Sequence, residues 1–295
     1  NSLQADAKEY EQEMREKKKG AADAKSLDQY IAEHPFSPQE ATLQVTANLF
    51  DVASLQEHYN TIKANNLHTK GTPGIFYYKK DRVAFKPDYT AHPITKFPHR
   101  KDTDNTGAVV IYESPYTNKE NETPHNLYVI CHDPYGQNQS SDSSSLGAAY
   151  VLKRPNNLSQ PDDMIVASYI GRPATQDDYN RNLFMLADYY NAKVGFENDR
   201  GEIIAYAKRH RKLHRLQPEF EMLDKKELQS RRVRRTYGMH MTEARKRQGE
   251  IYIRDWLNSL RGVDDQGKKF LNLQKIYDPA LIQELIKFNH KGNFD

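Results

Sequence analysis

The spacing of apolar and polar positions predicts five strands and two helices between residues 107 and 210. The strands are predicted at residues 107–113, 127–131, 146–153, 163–170 and 192–196, where short apolar runs end near turn-forming residues. The helices are predicted at residues 175–190 and 202–210. In the first of these helices Tyr179, Leu183 and Leu186 recur on one face, as in an amphipathic helix.

The connections between these elements predict the arrangement of the strands. Two loops join the strands at residues 127–131, 146–153 and 163–170, which favours an antiparallel meander. A helix leads from the meander to the strand at residues 192–196, and such a crossover places that strand parallel to the first strand of the meander. The sequence therefore predicts an α/β fold with a mixed sheet flanked by helices.

The remaining regions predict a two-part organisation, with a linker and a helical and hairpin extension at residues 1–104 and a domain at residues 105–295. Residues 1–25 contain almost no large apolar side chains, which is typical of a solvated helix or a frayed linker. Further helices are predicted at residues 26–31, 37–45, 54–66, 249–260 and 279–288, and a β-hairpin at residues 75–85.

Two carboxylates follow predicted strands directly. Asp133 follows the apolar run at residues 127–131, which contains the single cysteine, Cys131, at a position expected to be buried. Glu197 follows the run at residues 192–196. Because these strands are expected to be parallel neighbours, both acids should emerge at the same edge of the sheet. Carboxylates so close together repel each other unless a cation lies between them.

Such a pair suits Mg²⁺ or Mn²⁺, which prefer oxygen ligands, and with a phosphate as a further ligand it indicates two-metal hydrolysis of a phosphodiester bond. Each acid also has a structural interpretation, because Asp133 can cap its own turn and Glu197 can cap the next turn or helix. Asp142 is a candidate accessory ligand or a solvated loop residue. Asp199 fits a turn better than a ligand set.

Charge is unevenly distributed along the 295 residues, although the net charge is only +3. Residues 208–254 contain 15 Lys and Arg against six Asp and Glu, whereas residues 1–51 contain six against ten. The basic excess predicts a surface for a polyanion, and a solvated basic loop is the alternative. The predicted DNA-backbone contacts are Arg231, Arg232, Arg234, Arg235, Arg245, Lys246 and Arg247.

Composition and missing motifs exclude several classes of function. A single cysteine excludes an intrachain disulfide and a cysteine zinc cluster, and it fits a reducing compartment. No signal peptide and no apolar run long enough to cross a bilayer is found, so a cytoplasmic location is expected. The sequence contains no Gly-x-x-x-x-Gly-Lys-Ser/Thr phosphate loop, no Gly-x-Ser-x-Gly elbow and no helical His-x-x-x-His zinc motif.

Four stretches, in their order and spacing, resemble the nuclease domain of tailed-phage terminase large subunits, in the branch found in phages and prophages of gut Bacteroides-type bacteria. They are residues 128–136 (YVICHDPYG), 145–150 (SLGAAY), 168–173 (SYIGRP) and 188–198 (DYYNAKVGFEN). Upstream, residues 33–41 (EHPFSPQEA) are similar to the segment that follows the ATPase domain of that family. The resemblance covers most of residues 26–295.

The resemblance implies an RNase H-like nuclease that cuts concatemeric DNA during genome packaging at a two-metal site holding Mg²⁺ or Mn²⁺. By position, Asp133 is the first-strand acid, Glu197 the fourth-strand acid, and Asp295 in the sequence GNFD the third acid. The implied partners are double-stranded DNA, a small terminase subunit and the procapsid portal, in the cytoplasm of the bacterial host. The chain begins without methionine, lacks the family's ATPase domain and stops at Asp295, as expected of an excised or truncated terminase.

Two other functions fit the same residues. A recombinase or junction resolvase with an RNase H-like fold would use the same acids on branched DNA. A non-catalytic DNA-binding module of the packaging machinery would bind DNA with a steep salt dependence but would neither bind metal nor cut DNA.

Overall fold

A computed structural model describes residues 2–19, 30–31, 33–36, 48–99, 104–135, 145–198, 202–219, 236–263, 267 and 269–288. The helices in these ranges are α1 (Ser2–Lys19), α2 (Val52–Ala64), α3 (Gln176–Tyr189), α4 (Glu202–Arg209), α5 (Glu243–Leu257) and α6 (Pro279–Lys287). The strands are β1 (Thr72–Lys79), β2 (Arg82–Pro87), β3 (Ala108–Ile111), β4 (Tyr128–Asp133), β5 (Gly147–Lys153), β6 (Met164–Gly171), β7 (Lys193–Phe196), β8 (Leu260–Val263) and β9 (Lys269–Leu271). The helix predicted at residues 37–45 lies outside the described ranges.

Seven of these strands form one sheet, in the order β2-β1-β3-β6-β5-β4-β7. Strands β4, β5 and β6 pair antiparallel, which confirms the predicted meander. Helix α3 then crosses over and β7 pairs parallel to β4, as the crossover rule predicted. The prediction of an α/β fold with a mixed sheet flanked by helices is confirmed.

The predicted hairpin is present and belongs to the same sheet. Strands β1 and β2 pair from Gly74 with Pro87 to Lys79 with Arg82, and β1 also pairs antiparallel with β3. A two-residue turn joins the strands, which is the commonest connection in a β-hairpin. The hairpin therefore forms the end of the sheet that is farthest from β7.

Helix α3 covers one face of the sheet, here called the α3 face, which carries Tyr128, Ile130 and His132 of β4. Aromatic side chains make much of this contact: the ring centroids of His132 and Tyr179 lie 5.4 Å apart, and those of Tyr128 and Tyr190 lie 5.0 Å apart. Ile130 is fully buried in this core. Burial of these large side chains supplies the main stabilisation of the layer.

The opposite face, here called the α6 face, carries Cys131, Tyr150 and Ser168, which are register partners on β4, β5 and β6. The hydroxyl of Tyr150 donates a hydrogen bond to Asp278, the residue before α6 (3.3 Å). Cys131 is exposed on this face, so the prediction that its side chain is buried was wrong. Strand β4 is buried on the α3 face, whereas on the other face Val129 is half-buried and Cys131 and Asp133 are exposed.

A second apolar cluster joins α2, α5 and α6. Its buried members are Phe50, Leu55, Ile62, Leu257, Leu273, Ile276, Ile282 and Leu285. Side-chain caps fix the first turns of these helices, since Asp51 accepts from the amide of Ser54 (3.1 Å) and Asp278 accepts from the amide of Ala280 (2.8 Å).

Two elements near the C-terminal end of the chain differ from the sequence prediction. Helix α5 begins at Glu243 rather than at residue 249, because Thr242 caps it, and it ends at Leu257. The hairpin of β8 and β9 was not predicted; all of β8 is exposed and it shows no alternation of apolar and polar residues. No helix in the described part of the chain combines the length and the apolar character needed to cross a membrane.

Candidate active site

The parallel pairing of β4 and β7 places Asp133 beside Glu197. Ile130 is paired with Val194 and His132 with Phe196. Asp133 and Glu197 are the residues that follow His132 and Phe196. Neighbouring strands are about 4.8 Å apart, so the two backbones are close enough for both carboxylates to reach one ion. Because residues of equal register share a face, both acids lie on the α6 face.

Strand pairing with β5 holds the backbone of Asp133, and the pairing of β4 with β7 ends one residue earlier, at His132. Asp133 is the last residue of β4 and pairs with Ala148 of β5. The preceding residue, His132, is buried on the α3 face, and its Nδ1 lies 3.0 Å from the carbonyl oxygen of Ala148. Burial lowers the pKa of His132 to about 4, although its hydrogen bond to Ala148 acts in the opposite direction. His132 is therefore neutral at pH 7 and anchors the strand end.

A short segment from residue 237 to residue 239 holds the backbone around Glu197. Glu197 forms an isolated parallel bridge with Met239, whose amide donates to the carbonyl of Phe196 (2.8 Å). The amide of Asn198 donates back to the carbonyl of Met239 (2.8 Å), and its side-chain amide donates to the carbonyl of Tyr237 (2.7 Å). These bonds fix the direction in which the chain leaves β7.

Gly238 makes this close contact possible. Its φ of +68° is in the left-handed region, which glycine adopts without strain. A Cβ atom at this position would lie 2.8 Å from the ring of Phe196 and 2.8 Å from the Cβ of Asn198. The glycine thus lets the bracing segment approach the residues on either side of Glu197.

Helix α6 adds acidic groups that sequence reasoning missed. Asp278 caps the helix and is only 4% exposed. Burial raises the pKa of its carboxyl to about 6, against the opposing effect of hydrogen bonds from the amides of Leu281 and Ala280 and from Tyr150. The sequence signal was an Asp-Pro helix start, which predicts a cap but not its position over the sheet.

Glu284 lies further along α6 and responds to the charge of Asp133. Partial desolvation, followed by the negative charges of Asp133 and Asp278, raises the pKa of Glu284 to about 7. The side chain of Glu284 is nonetheless open to solvent. The end of β4 therefore lies in a strongly negative environment, which a divalent cation would offset.

The donor set fits a hard divalent ion. Mg²⁺ is commonly held by one or two carboxylates, with water and substrate phosphate completing its coordination, and Asp133 with Glu197 supplies such a pair. Among the residues that the structure describes, no group of three or more His, Cys, Asp or Glu side chains could hold a metal ion. The predicted third acid Asp295, the accessory candidate Asp142 and Asp199 lie outside those residues.

The predicted DNA-binding residues divide into three groups. Arg231, Arg232, Arg234 and Arg235 lie outside the described ranges. Lys246 and Arg247 are exposed in α5 and remain predicted DNA contacts. Arg245 is 1% exposed, pairs with Glu219 (3.1 Å) and donates to the carbonyl of His240 (2.8 Å). Because its guanidinium is inside the protein, the assignment of Arg245 to DNA binding is corrected to a structural role.

A shallow cavity of about 410 Å³ lies beside residues 124–127 and 154–158. These residues precede β4 and follow β5, so the cavity is at the end of the strands opposite to Asp133. It is not part of the acidic site.

Comparisons with known proteins give little further information. No protein-family model matches the sequence, and the comparison with curated proteins finds no match. The solved structures to which the chain is similar include one described as "Crystal structure of the large terminase nuclease from thermophilic phage G20c". The sequence identity is 15%, the similarity covers 65% of this chain and 93% of that chain, and the TM-score is 0.29. A similarity of this size carries no functional argument.

Proposed function

We propose that this chain is the nuclease domain of a phage terminase large subunit and cuts concatemeric viral DNA during packaging with Mg²⁺ or Mn²⁺. The observation that carries the proposal is the position of Asp133 and Glu197, which follow paired residues of two parallel strands on one face. The sequence resemblance of residues 128–136 and 188–198 supplies the biological context. The boundary between an extension at residues 1–104 and a nuclease domain at residues 105–295 belongs to the same proposal.

The chemistry follows from the donor set. When bound, divalent ions would supply Lewis acidity for hydrolysis of a phosphodiester bond. Asp133 and Glu197 would hold these ions, with Asp295 as a third ligand and Asp142 as an accessory ligand. The rigid β4 and the bracing of Gly238 against β7 would keep the two carboxylates at a fixed separation, which is what a preorganised site requires.

Basic residues have a complementary role in the proposal. A site that concentrates negative charge repels DNA, so cations on the same protein must offset this repulsion. Lys246 and Arg247, together with the arginines at residues 231–235, would contact the phosphate backbone without reading base sequence. The small terminase subunit and the procapsid portal are the proposed protein partners.

A cleavage assay tests the proposal directly. Purified protein is incubated with linear duplex DNA and Mg²⁺ or Mn²⁺, and the Asp133→Asn and Glu197→Gln variants are compared with wild type. We expect cutting that stops when EDTA is added and that falls by about 100-fold or more in each variant, because a direct ligand matters at least as much as an outer-shell partner, whose loss costs about 10- to 100-fold. Asp255→Asn is the matched control, since Asp255 is exposed on α5 and its ion pair is with the adjacent Arg254.

The same assay separates the proposal from its alternatives. Undiminished metal-dependent cutting by Asp133→Asn would remove the catalytic assignment. Cutting restricted to branched substrates would favour a recombinase or resolvase. Tight, salt-sensitive DNA binding without metal binding or cutting by the wild-type protein would favour a non-catalytic packaging module.

A further inference from the structure

Strand β1 of the hairpin continues beyond the residue that is level with Asp133 in the sheet. A row of register partners runs across the sheet from Asp133 through Ala148 and Ile170 to Ala108. The last partners of β1 and β3 are Gly74 and Val109, so Ile75 is the residue of β1 level with this row. Each strand along this row is antiparallel to the next, so β1 runs in the same sense as β4. Strand β1 continues for four residues after Ile75, to Lys79, before the turn. The tip therefore lies beyond this row along β1. Because adjacent strands twist by about 20–25°, β1 does not point in the direction of β4. Its contacts with Tyr189 direct the hairpin toward the α3 face.

The dimensions of the sheet place this tip within reach of the same DNA molecule. Four strand spacings separate β4 from β1, and the rise from Ile75 to the turn is roughly 15 Å, so the tip lies on the order of 25 Å from Asp133. This distance hardly depends on sheet twist, because the row runs across the strands. One helical turn of B-DNA is about 34 Å long, so the tip and the acids are separated by less than one turn.

The tip is positively charged and accessible. Lys79, Lys80 and Arg82 are exposed and are accompanied by one acid, Asp81. None of the three basic side chains forms an ion pair with another residue in the described part of the chain. Their charges are thus available to a polyanion. The exposed rings of Tyr77 (42%) and Tyr78 (58%) lie directly below them.

Lys80 occupies a turn position whose backbone conformation favours another residue type. Lys80 has a φ of +56°, in the left-handed region. Two-residue hairpin turns that need a positive φ normally use glycine or asparagine, which adopt it at little cost. A turn that only joined two strands would be better served by glycine. The lysine at this position is consistent with a role for its ammonium group at the tip.

The hairpin is also anchored, so its tip has a fixed position. Phe76 and Phe85 are directly opposite each other, with ring centroids 5.7 Å apart. Both contact Tyr189 of α3, at centroid distances of 5.3 Å and 6.4 Å. The base of the hairpin is therefore part of the main core. An arm held in this way can bind a rigid duplex without first becoming ordered.

We propose that the hairpin tip, formed by Lys79, Lys80 and Arg82, binds the phosphate backbone of duplex DNA as a second contact remote from the acidic site. The inference rests on the proposed nuclease function for the identity of the polyanion. Its contribution is affinity and the direction of the duplex across the sheet edge. Because phosphate contacts carry no base information, the hairpin binds all sequences alike.

Salt-dependent binding of a fluorescent duplex, measured by anisotropy in EDTA, tests the inference independently of cleavage. Each phosphate contact contributes about 0.9 to the slope of log K against log salt. The double variant Lys79→Ala/Arg82→Ala is expected to lower that slope by about 1.8 and to weaken binding roughly 10- to 100-fold at moderate salt. The control Lys119→Ala/Lys193→Ala removes two exposed charges near the start of β4, and is expected to bind like wild type.

The single variant Lys80→Gly distinguishes the effect of losing a charge from the effect of losing stability. Glycine accepts the positive φ, so the thermal midpoint is maintained while the slope falls by about 0.9. The inference would be overturned if the hairpin variants bound with the affinity and salt slope of wild type, or if the control lost as much affinity as they do. The nuclease proposal would still stand if wild type cuts DNA. If the hairpin variants lose binding and the wild-type protein never cuts DNA, the hairpin inference is supported and the nuclease proposal is refuted. Wild-type protein that does not bind duplex DNA would refute both.

Discussion

Replacing Asp278 with asparagine is expected to stabilise the protein at neutral and alkaline pH. Burial raises the pKa of this carboxyl from 3.8 to about 6. Because the folded-state pKa is above the unfolded value, protonation favours folding, and the free energy of unfolding falls as the pH rises from about 4 through about 6. A shift of this size corresponds to about 3 kcal/mol at most. Asparagine carries no charge, so it removes this pH-dependent loss.

The substitution keeps the local structure. The Oδ1 of asparagine can still accept from the amides of Ala280 and Leu281, and asparagine caps helices as well as aspartate does. The amide group can also bond to the hydroxyl of Tyr150, which now donates to Asp278. The variant should therefore match wild type near pH 4 and exceed it by about 1–3 kcal/mol at pH 8.

Urea unfolding in EDTA, at a series of pH values from about 4 to 8, measures the difference. The titratable groups that face Asp278 are Tyr112, Tyr150 and Glu284. Glu284 titrates in an adjoining range, so the comparison is repeated with Glu284→Gln in both proteins. Asp278→Ala is the control and should lose about 1 kcal/mol relative to Asp278→Asn at every pH, because the cap is gone. A difference between Asp278→Asn and wild type that stays constant across the pH range would refute the reasoning.

Three further perturbations test other parts of the structure. Gly238→Ala should lower the free energy of unfolding by about 2–4 kcal/mol in urea melts, because of the positive φ and the added Cβ against Phe196. It should also reduce cleavage by more than the loss of stability explains. Unchanged stability and cleavage would contradict the bracing role. Arg245→Ala should lower the free energy of unfolding by about 3–5 kcal/mol, because it removes one partner of a buried ion pair with Glu219. A loss confined to DNA affinity would restore the surface assignment. Saturating Mg²⁺ should raise the thermal midpoint of wild type by several degrees, since binding at 100 times Kd adds about 2.7 kcal/mol to the free energy of unfolding. The thermal midpoint of Asp133→Asn should rise much less. Equal shifts in the two proteins would place the ion elsewhere.

The sequence predicted the sheet around the site because its signals are local. The apolar runs before Asp133 and Glu197 mark the strands, and the helix between β6 and β7 fixes their parallel order. The hairpin was also predictable, because two β-prone runs flank a short polar turn. Those elements alone place both acids at neighbouring strand ends.

The contribution of α6 could not be predicted from the same signals. Asp278 and Glu284 have raised pKa values because α6 packs over the sheet, and this packing depends on contacts between residues far apart in the chain. Arg245 lies in a basic run that predicts a solvated surface, and its burial is explained by its contacts with Glu219 and with the carbonyl of His240. The prediction missed the first turns of helix α5 because they are polar and show no apolar repeat.

Anomalous diffraction from crystals of the wild-type protein soaked in Mn²⁺ tests the central claim most directly. The account predicts an anomalous peak within coordination distance of the carboxylates of both Asp133 and Glu197, and its loss in crystals of Asp133→Asn. Carboxylates of these two residues that are too far apart to share an ion, or a peak bound elsewhere in a protein that cuts DNA with Mn²⁺, would contradict it.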